Sequence, residues 1–273
     1  MVIASIPKLI GMLYALIAFL ILLYLLYTDK YTKKIGYLFF ILSILMGFLV
    51  FAPMFPYQFQ MLIIGNTKQL GGPLPVVILS LVLFLILTLV FGRIFCGFIC
   101  PIGTLQELAY KLPTKKLKIV NKTLVVVLHL LFFLLFVLLG LLFSIAILTY
   151  LGVHDFFYLA TESVFFFIFL SFVLLSIVLY RPFCRFFCPY GLLLSLVSLM
   201  SVCKLRRTPH CTMCGKCENV CPTNEAGKND LKQECYLCNR CRDVCPVDAL
   251  EYGRTWKKSE GDEKKKWILI KGR

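Results

Sequence analysis

Long runs of apolar residues alternate with short polar segments over roughly the first two thirds of the chain. Five of these runs contain no charged residue, and each is near the roughly 20 residues that a helix needs to cross the hydrocarbon core of a bilayer. We therefore predict five transmembrane helices, at residues 9–27, 35–52, 74–92, 123–150 and 163–180. The first run lacks the charged start and the small-residue cleavage site of a signal peptide, so we expect it to remain as a span.

The composition supports an integral membrane protein. Of the 273 residues, 60% are hydrophobic and only 16% are charged, with a mean hydropathy of +0.86. These values exclude a water-soluble globular protein. The segment from Cys203 onward is more polar and carries nine of the 13 cysteines, so we expect it to be held together by something other than a large apolar core.

The basic residues predict the orientation of the chain in the membrane. Of the 29 Lys and Arg residues, three lie between the first two spans, six between Arg93 and Lys122, and 18 from Arg181 onward. Because positive residues that flank spans stay inside, the N-terminus is predicted outside and the C-terminal segment in the cytoplasm of a cell (inner) membrane. The net charge of +15 is then explained by topology, and no nucleic acid is expected as a partner. In a reducing compartment, closely spaced cysteines more often bind metal or carry out redox chemistry than form structural disulfides.

An internal repeat joins two parts of the membrane region. Residues 93–103, RIFCGFICPIG, match residues 181–191, RPFCRFFCPYG, with Arg, both Cys, Pro and Gly in the same places. We predict a parallel repeat of two apolar hairpins, each ending in a CxxxCP motif at the cytoplasmic membrane edge. Cysteines four residues apart share one helix face, so the four thiols are expected to converge. They are Cys96, Cys100, Cys184 and Cys188.

The spacing of these four cysteines leaves their role open. They could bind a third cluster, cycle between dithiol and disulfide, bind a metal ion, or pack as small apolar residues. Arg93 and Arg181 are interpreted first as membrane-surface anchors, and alternatively as cations that favour thiolate or an anionic cluster. The protein has three histidines, and only His129 lies within a predicted span, so we predict a hydrogen-bonded packing residue there and no bis-histidine haem.

Two copies of a second cysteine pattern carry the most specific signal. Each reads CxxCxxCxxxCP, which is the bacterial ferredoxin spacing for two [4Fe-4S] clusters, and the fourth Cys of each copy ligates the other cluster. Tetrahedral zinc is the alternative, but it explains neither the third cysteine nor the proline. We predict that one cluster is bound by Cys211, Cys214, Cys217 and Cys245, and the other by Cys221, Cys235, Cys238 and Cys241.

The combination of paired CxxxCP motifs with the double ferredoxin motif resembles the NapH family of membrane iron–sulfur quinol dehydrogenase components. It is also similar to the membrane and ferredoxin modules of NosR and CcoG, and the likeness covers residues 35–256. The resemblance implies quinol oxidation in the membrane and one-electron delivery through the clusters to a partner redox protein. Members of that family typically have four spans and a cytoplasmic N-terminus, whereas residues 9–27 add a fifth span here.

We therefore predict a membrane all-α domain at residues 1–202, with five transmembrane helices and a parallel hairpin repeat. A small α+β domain with two [4Fe-4S] clusters follows at residues 203–256, and a charged tail at 257–273. The predicted function is an oxidoreductase component that passes electrons between membrane quinol and a further redox protein, with Glu107 as the candidate proton acceptor. The alternatives are a CcoG-type reductase of copper or another metal ion, and a non-enzymatic electron relay or assembly subunit.

Overall fold

The computed structural model describes residues 6–28, 30–66, 73–228 and 230–254. The predicted charged tail, residues 257–273, lies outside the described residues. Within the described ranges the chain is mostly helical, and its one sheet has two strands near the C-terminal end of that part.

Four helices in the described part of the chain are long and apolar enough to cross a membrane. Hydrogen-bonding side chains start two of them: the side-chain oxygens of Thr32 and Asn121 accept from the backbone N–H groups of Ile35 and Leu124. Long apolar helices at the first four predicted positions are thus confirmed. They are α1 (Ile6–Tyr27), α2 (Lys33–Val50) with its continuation α3 (Phe55–Ile64), α4 (Leu74–Phe91) and α6 (Lys122–Phe143).

The fourth and fifth predicted spans differ from the structure at their ends. Helix α6 stops at Phe143 because Ser144 adopts a left-handed conformation with φ 52°, and a short helix α7 (Ile147–Tyr150) follows. The predicted span 163–180 contains helix α9 (Val164–Leu175), whose 12 residues rise only about 18 Å. The correction has a physical reason: an apolar run shows where a segment avoids water, but not where its backbone turns.

Both CxxxCP segments turn back between the long helices. After α4, Gly92 adopts a positive φ of 76° and reverses the chain into a short π-helix (Phe95–Ile99) and then α5 (Pro101–Tyr110). Pro101 packs against Gly47, near the far end of α2, and Lys111 lies beside Tyr37, near its start. Helix α5 therefore runs antiparallel to α2, from near the C-terminal end of α2 toward its N-terminal end.

The second segment has the same course. It comprises α10 (Pro182–Phe186) and α11 (Pro189–Leu199), with Cys188 between them. The Tyr190 hydroxyl donates to the carbonyl of Leu81, in the middle of α4, at 2.9 Å. His129 Nε2 is hydrogen-bonded to the carbonyl of Cys188 at 2.8 Å, about two turns or roughly 10 Å along α6 from its first residue. The cysteines thus lie deeper between the helices than the membrane edge we predict, and His129 is a hydrogen-bonded packing residue as predicted.

The C-terminal part is a small α+β unit packed under the long helices. Strand β1 (Cys203–Arg207) pairs antiparallel with β2 (Leu250–Arg254). Two short helices lie between the strands, α12 (Lys216–Val220) and α13 (Arg240–Asp243), and pack on each other. The Tyr252 hydroxyl donates to the carbonyl of Phe91 at 2.6 Å, so this sheet is fastened to the end of α4. The remaining described helix is α8 (Val153–Phe157), between α7 and α9.

Candidate functional site

The first cysteine-lined cavity lies near the exposed surface of the C-terminal unit. Cys214 is exposed, whereas Cys217 is buried on α12. Met213 and Gly215 both have positive φ, 58° and 75°, and these turns bend the CxxCxxC segment around the cavity. The cavity brings together the first predicted set of ligands, Cys211, Cys214, Cys217 and Cys245.

A second cavity lies closer to the membrane helices. Cys241 is buried on α13, and Leu237 and Asn239, on either side of Cys238, have φ values of 53° and 60°. The second predicted set, Cys221, Cys235, Cys238 and Cys241, lines this cavity.

The packing of α12 on α13 explains why the two sets cross. Helix α12 carries Cys217 of the first set and is followed by Cys221, which lines the second cavity. Helix α13 carries Cys241 of the second set, and Cys245 follows it into the first cavity. Each fourth cysteine therefore reaches the neighbouring cavity because its helix lies against the other one.

The third cavity lies between the two CxxxCP segments and brings Cys96, Cys100, Cys184 and Cys188 together. All four are buried. Hydrogen-bond donors point at two of the sulfur atoms: Gln106 Nε2 lies 3.5 Å from the Cys184 sulfur, and the backbone N–H of Gly191 lies 3.2 Å from the Cys188 sulfur. Such donors stabilise negative charge on sulfur. Sequence reasoning missed Gln106, because nothing in the apolar α5 pattern marks it.

Arg93 lines the same cavity, with its guanidinium nitrogen Nη2 4.0 Å from the Cys96 sulfur. The same nitrogen donates to the carbonyl of Gly191 at 3.1 Å, and the guanidinium lies over the Tyr236 ring at 4.4 Å. Arg93 and Arg181 are 1% and 0% exposed, so neither is a membrane-surface anchor. The anchor interpretation is wrong, because both side chains extend inward between the CxxxCP segments and the C-terminal unit.

Glu107 connects three parts of the protein. It accepts hydrogen bonds from Tyr180 at 2.8 Å and from Arg181 Nε at 3.0 Å, and it pairs with Arg240 at 2.5 Å. Burial alone would raise the pKa of this carboxyl, but Arg181, Arg240 and Tyr180 outweigh it and hold the pKa below its ordinary value of 4.5. This environment favours a permanently charged, structural carboxylate over the proton acceptor that the sequence suggests.

The segment just before Cys238 rests on both CxxxCP motifs. In the first motif, a side chain at Gly97 would overlap the backbone carbonyl of Tyr236. In the second motif, Arg185 occupies the equivalent position and forms a buried ion pair with Glu234 at 2.9 Å. The two halves of the repeat therefore hold the same segment, one by lacking a side chain and the other by a charge.

The donor sets fit iron–sulfur clusters. Each of the three cavities is surrounded by four cysteines. Across residues 6–28, 30–66, 73–228 and 230–254, no three His, Cys, Asp or Glu side chains lie close enough together to hold one metal ion. Four thiol groups around one cavity are the donors that a [4Fe-4S] cluster requires.

Comparisons with known proteins agree with this chemistry. A family model described as a 4Fe-4S binding domain matches residues 73–119 and 163–208, which contain the two CxxxCP motifs. The uncharacterized protein MJ0750 of Methanocaldococcus jannaschii is 35% identical over 206 residues, which cover 69% of this chain and 84% of that protein. A second uncharacterized protein of that archaeon, MJ0749, is 30% identical over 60% of this chain and 66% of its own.

One bacterial relative has a name that refers to electron transport. YccM of Escherichia coli (strain K12), whose name suggests a role in electron transport, is 29% identical over 58% of this chain. The match covers 49% of YccM, so the chain spans about half the length of that relative. No solved structure matches the chain. On the extent of its likeness to MJ0750 and on the two matches of the family model, the chain belongs to the 4Fe-4S binding domain family.

Proposed function

We propose that this protein is a membrane iron–sulfur electron-transfer protein that passes electrons between a membrane quinol and a further redox protein. One observation carries the proposal: three cysteine-lined cavities form a row from between the membrane helices to the surface of the C-terminal unit. The second cavity contacts the third, between the CxxxCP segments, through Tyr236 and Glu234, and α12 and α13 join it to the first, where Cys214 is exposed. Such a row suits transfer of single electrons between a buried site and a docked partner.

In this proposal the eight cysteines from Cys211 to Cys245 hold two [4Fe-4S] clusters in the crossed sets described above. When bound, such clusters supply one-electron transfer at potentials that hydrogen bonds, burial and net charge adjust. The chain's own residues position them. Arg185 and Glu234 hold the second set against the membrane region, and Glu107 fastens Arg240, which lies between Cys238 and Cys241.

The four cysteines between the membrane helices are proposed to hold a third cluster. The family model that names a 4Fe-4S binding domain matches the segments that carry them and not the ferredoxin pattern. Buried Arg93 beside Cys96 and the N–H donors at Cys184 and Cys188 favour an anionic group in this cavity.

We also propose that α9 is the fifth crossing, with the N-terminus outside and the C-terminal unit in the cytoplasm. The turn after α9 is bonded to the loop between α5 and α6: Leu117 N–H donates to Val178 at 3.0 Å, and Lys116 Nζ donates to Ile177 at 2.7 Å. The end of α9 therefore lies level with the start of α6. The two family-model matches, at corresponding parts of the two hairpins, favour the parallel repeat.

The test combines metal content with reduction by quinol. Protein purified without oxygen should contain about eight irons, or about twelve if the third cluster is present. A quinol analogue should reduce the clusters in the wild type. Cys96→Ser and Cys184→Ser should each remove about four irons but leave reduction of the other two clusters by dithionite, and the double variant should lose no more iron than either. Cys203→Ser is the matched control, since Cys203 lines none of the three cavities. Stoichiometric zinc with fewer than eight irons would refute the proposal.

A further inference from the structure

A fourth cavity, of about 250 Å³, opens where the start of α2, the end of α5 and the segment after Cys238 meet. It is distinct from the three cysteine-lined cavities but shares a wall with the second of them, because Cys238, Asn239 and Arg240 line both. A molecule in this cavity would therefore contact a proposed cluster ligand. The residues that carry the inference are Tyr31, Tyr37, Lys111, Cys238, Asn239 and Arg240.

The shared wall presents polar groups without partners. Asn239 is only 5% exposed, yet neither its amide oxygen nor its amide nitrogen has a hydrogen-bond partner. Arg240 Nη1 is also buried without a partner, although Nη2 pairs with Glu107. Leaving a buried polar group unsatisfied is unfavourable, so these groups are suited to a ligand that both donates and accepts hydrogen bonds.

Two of the other lining side chains, Tyr31 and Tyr37, are aromatic. The Tyr31 ring packs edge-on against Phe98, with centroids 5.5 Å apart, and it folds over α2 at Gly36, where any side chain would overlap the Tyr31 hydroxyl. Lys111 Nζ lies 3.8 Å from the centre of the Tyr37 ring. Tyr31 lies just before α2 and Tyr37 near its start, so this part of the cavity lies at the end of a helix that is long and apolar enough to cross a membrane.

Three cations and one carboxylate, Asp243, line the cavity. Of the three cations that line it, Lys33 already pairs with Asp243 at 3.3 Å and Arg240 pairs with Glu107. A neutral ring with oxygen atoms that donate and accept hydrogen bonds suits Asn239 better than a phosphate group does.

We propose that this cavity binds the head group of the membrane quinol, an inference that rests on the proposed function. Asn239 and Arg240 bind the ring oxygens, and Tyr31 and Tyr37 contact the ring. The hydrogen-bonded edge of the ring then lies beside Cys238, and the side of the cavity lined by Lys33 and Asp243 faces water. The site lies on the cytoplasmic side in the proposed topology.

The experiment uses the intact protein in lipid nanodiscs with an azido-substituted, short-chain benzoquinone as probe. Illumination should label peptides that contain Tyr31, Tyr37 or Lys111, and an unreactive quinone should compete. Tyr37→Leu and Lys111→Met should each lower labelling about tenfold, which corresponds to 1.4 kcal/mol of binding free energy. The matched controls are Tyr24→Leu and Lys34→Met, which alter exposed residues that do not line the cavity. Iron content confirms that each variant is folded and loaded.

Labelling at other peptides, or labelling that neither cavity variant lowers, would overturn the inference. The same holds if anionic phospholipid displaces the probe and the unreactive quinone does not, since the cavity would then be a lipid head-group site. Quinol reduction of the wild-type clusters distinguishes a failure of this inference from a failure of the proposed function. If quinol reduces the clusters while the label maps elsewhere, only this inference fails; if quinol reduces nothing, the proposed function fails with it.

Discussion

Gly97 lies directly against the backbone carbonyl of Tyr236, so closely that a Cβ at position 97 would overlap the carbonyl oxygen. Gly97 follows the first cysteine of the first CxxxCP motif, and Tyr236 follows the first cysteine of the second ferredoxin motif. This contact therefore limits, together with the Arg185–Glu234 ion pair, how near the second cysteine set comes to the membrane thiols.

Gly97→Ala should weaken the attachment of the C-terminal unit. Neither backbone can move without disturbing neighbours, so we expect a loss of about 1–3 kcal/mol, as for overpacked cores. The midpoint temperature of thermal unfolding of the purified protein and the rate of quinol-dependent cluster reduction should both fall. The matched control is Gly253→Ala, because a Cβ there meets only the end of the Arg206 side chain at 3.9 Å. A Gly97→Ala protein with wild-type stability and rate would contradict the contact.

Glu107→Gln should be strongly destabilising. The change leaves Arg181 and Arg240 near each other without their shared carboxylate, and breaking a buried ion pair in this way typically costs about 3–5 kcal/mol. Glu218→Gln removes an ion pair with Arg207 in which the Glu218 side chain is 52% exposed, and it should change stability by less than about 1 kcal/mol. Equal shifts in the thermal midpoints of the two variants would show that the contacts of Glu107 with Arg181 and Arg240 do not stabilise the fold.

The contribution of Glu107 to the free energy of unfolding should depend on pH only at acidic pH. Because its folded-state pKa lies below the ordinary 4.5, the carboxylate contributes fully above that value, and its contribution is lost as the pH falls through the folded-state pKa. The difference in thermal midpoint between the wild type and Glu107→Gln should therefore be constant across neutral pH. A difference that varies between neutral and mildly alkaline pH would indicate instead that Glu107 titrates there, as a proton acceptor would.

The crossed sets predict which cysteine variants behave alike. Cys211→Ser and Cys245→Ser should perturb the same cluster signal in electron paramagnetic resonance of the reduced protein, although the residues lie in different motifs. Cys221→Ser and Cys238→Ser should perturb the other signal. If Cys245→Ser instead matched Cys238→Ser, the fourth cysteine of each motif would serve its own cluster and the crossing would be wrong.

Reporter fusions test the orientation. A reporter after Lys271 should be cytoplasmic, and one near Asn66, beyond the end of α3, should be external. An insertion after Lys115, in the loop between α5 and α6, provides an internal comparison and should be cytoplasmic. An external reporter after Lys271 would overturn both the orientation and the assignment of the cysteines to a reducing compartment.

The sequence by itself determined the elements whose signal is local. Apolar runs of sufficient length specify the four long helices, because the bilayer requires length and hydropathy and little else. The ferredoxin spacing predicts two sets of four cysteines, and each set lines one cavity in the structure. The repeat likewise identifies Cys96, Cys100, Cys184 and Cys188 as a group before any fold is known.

Only the tertiary structure decided where these groups lie and what surrounds them. Gly92 and the positive φ of Arg181 turn the CxxxCP segments back between the helices, and hydropathy does not detect a turn inside an apolar environment. The burial of Arg93 and Arg181 also depends on partners far away in the chain, Tyr236 and Glu107, so charge counting placed both residues at the membrane surface. Long-range contacts set the energy of a buried charge, and a single sequence carries no record of which residues those contacts join.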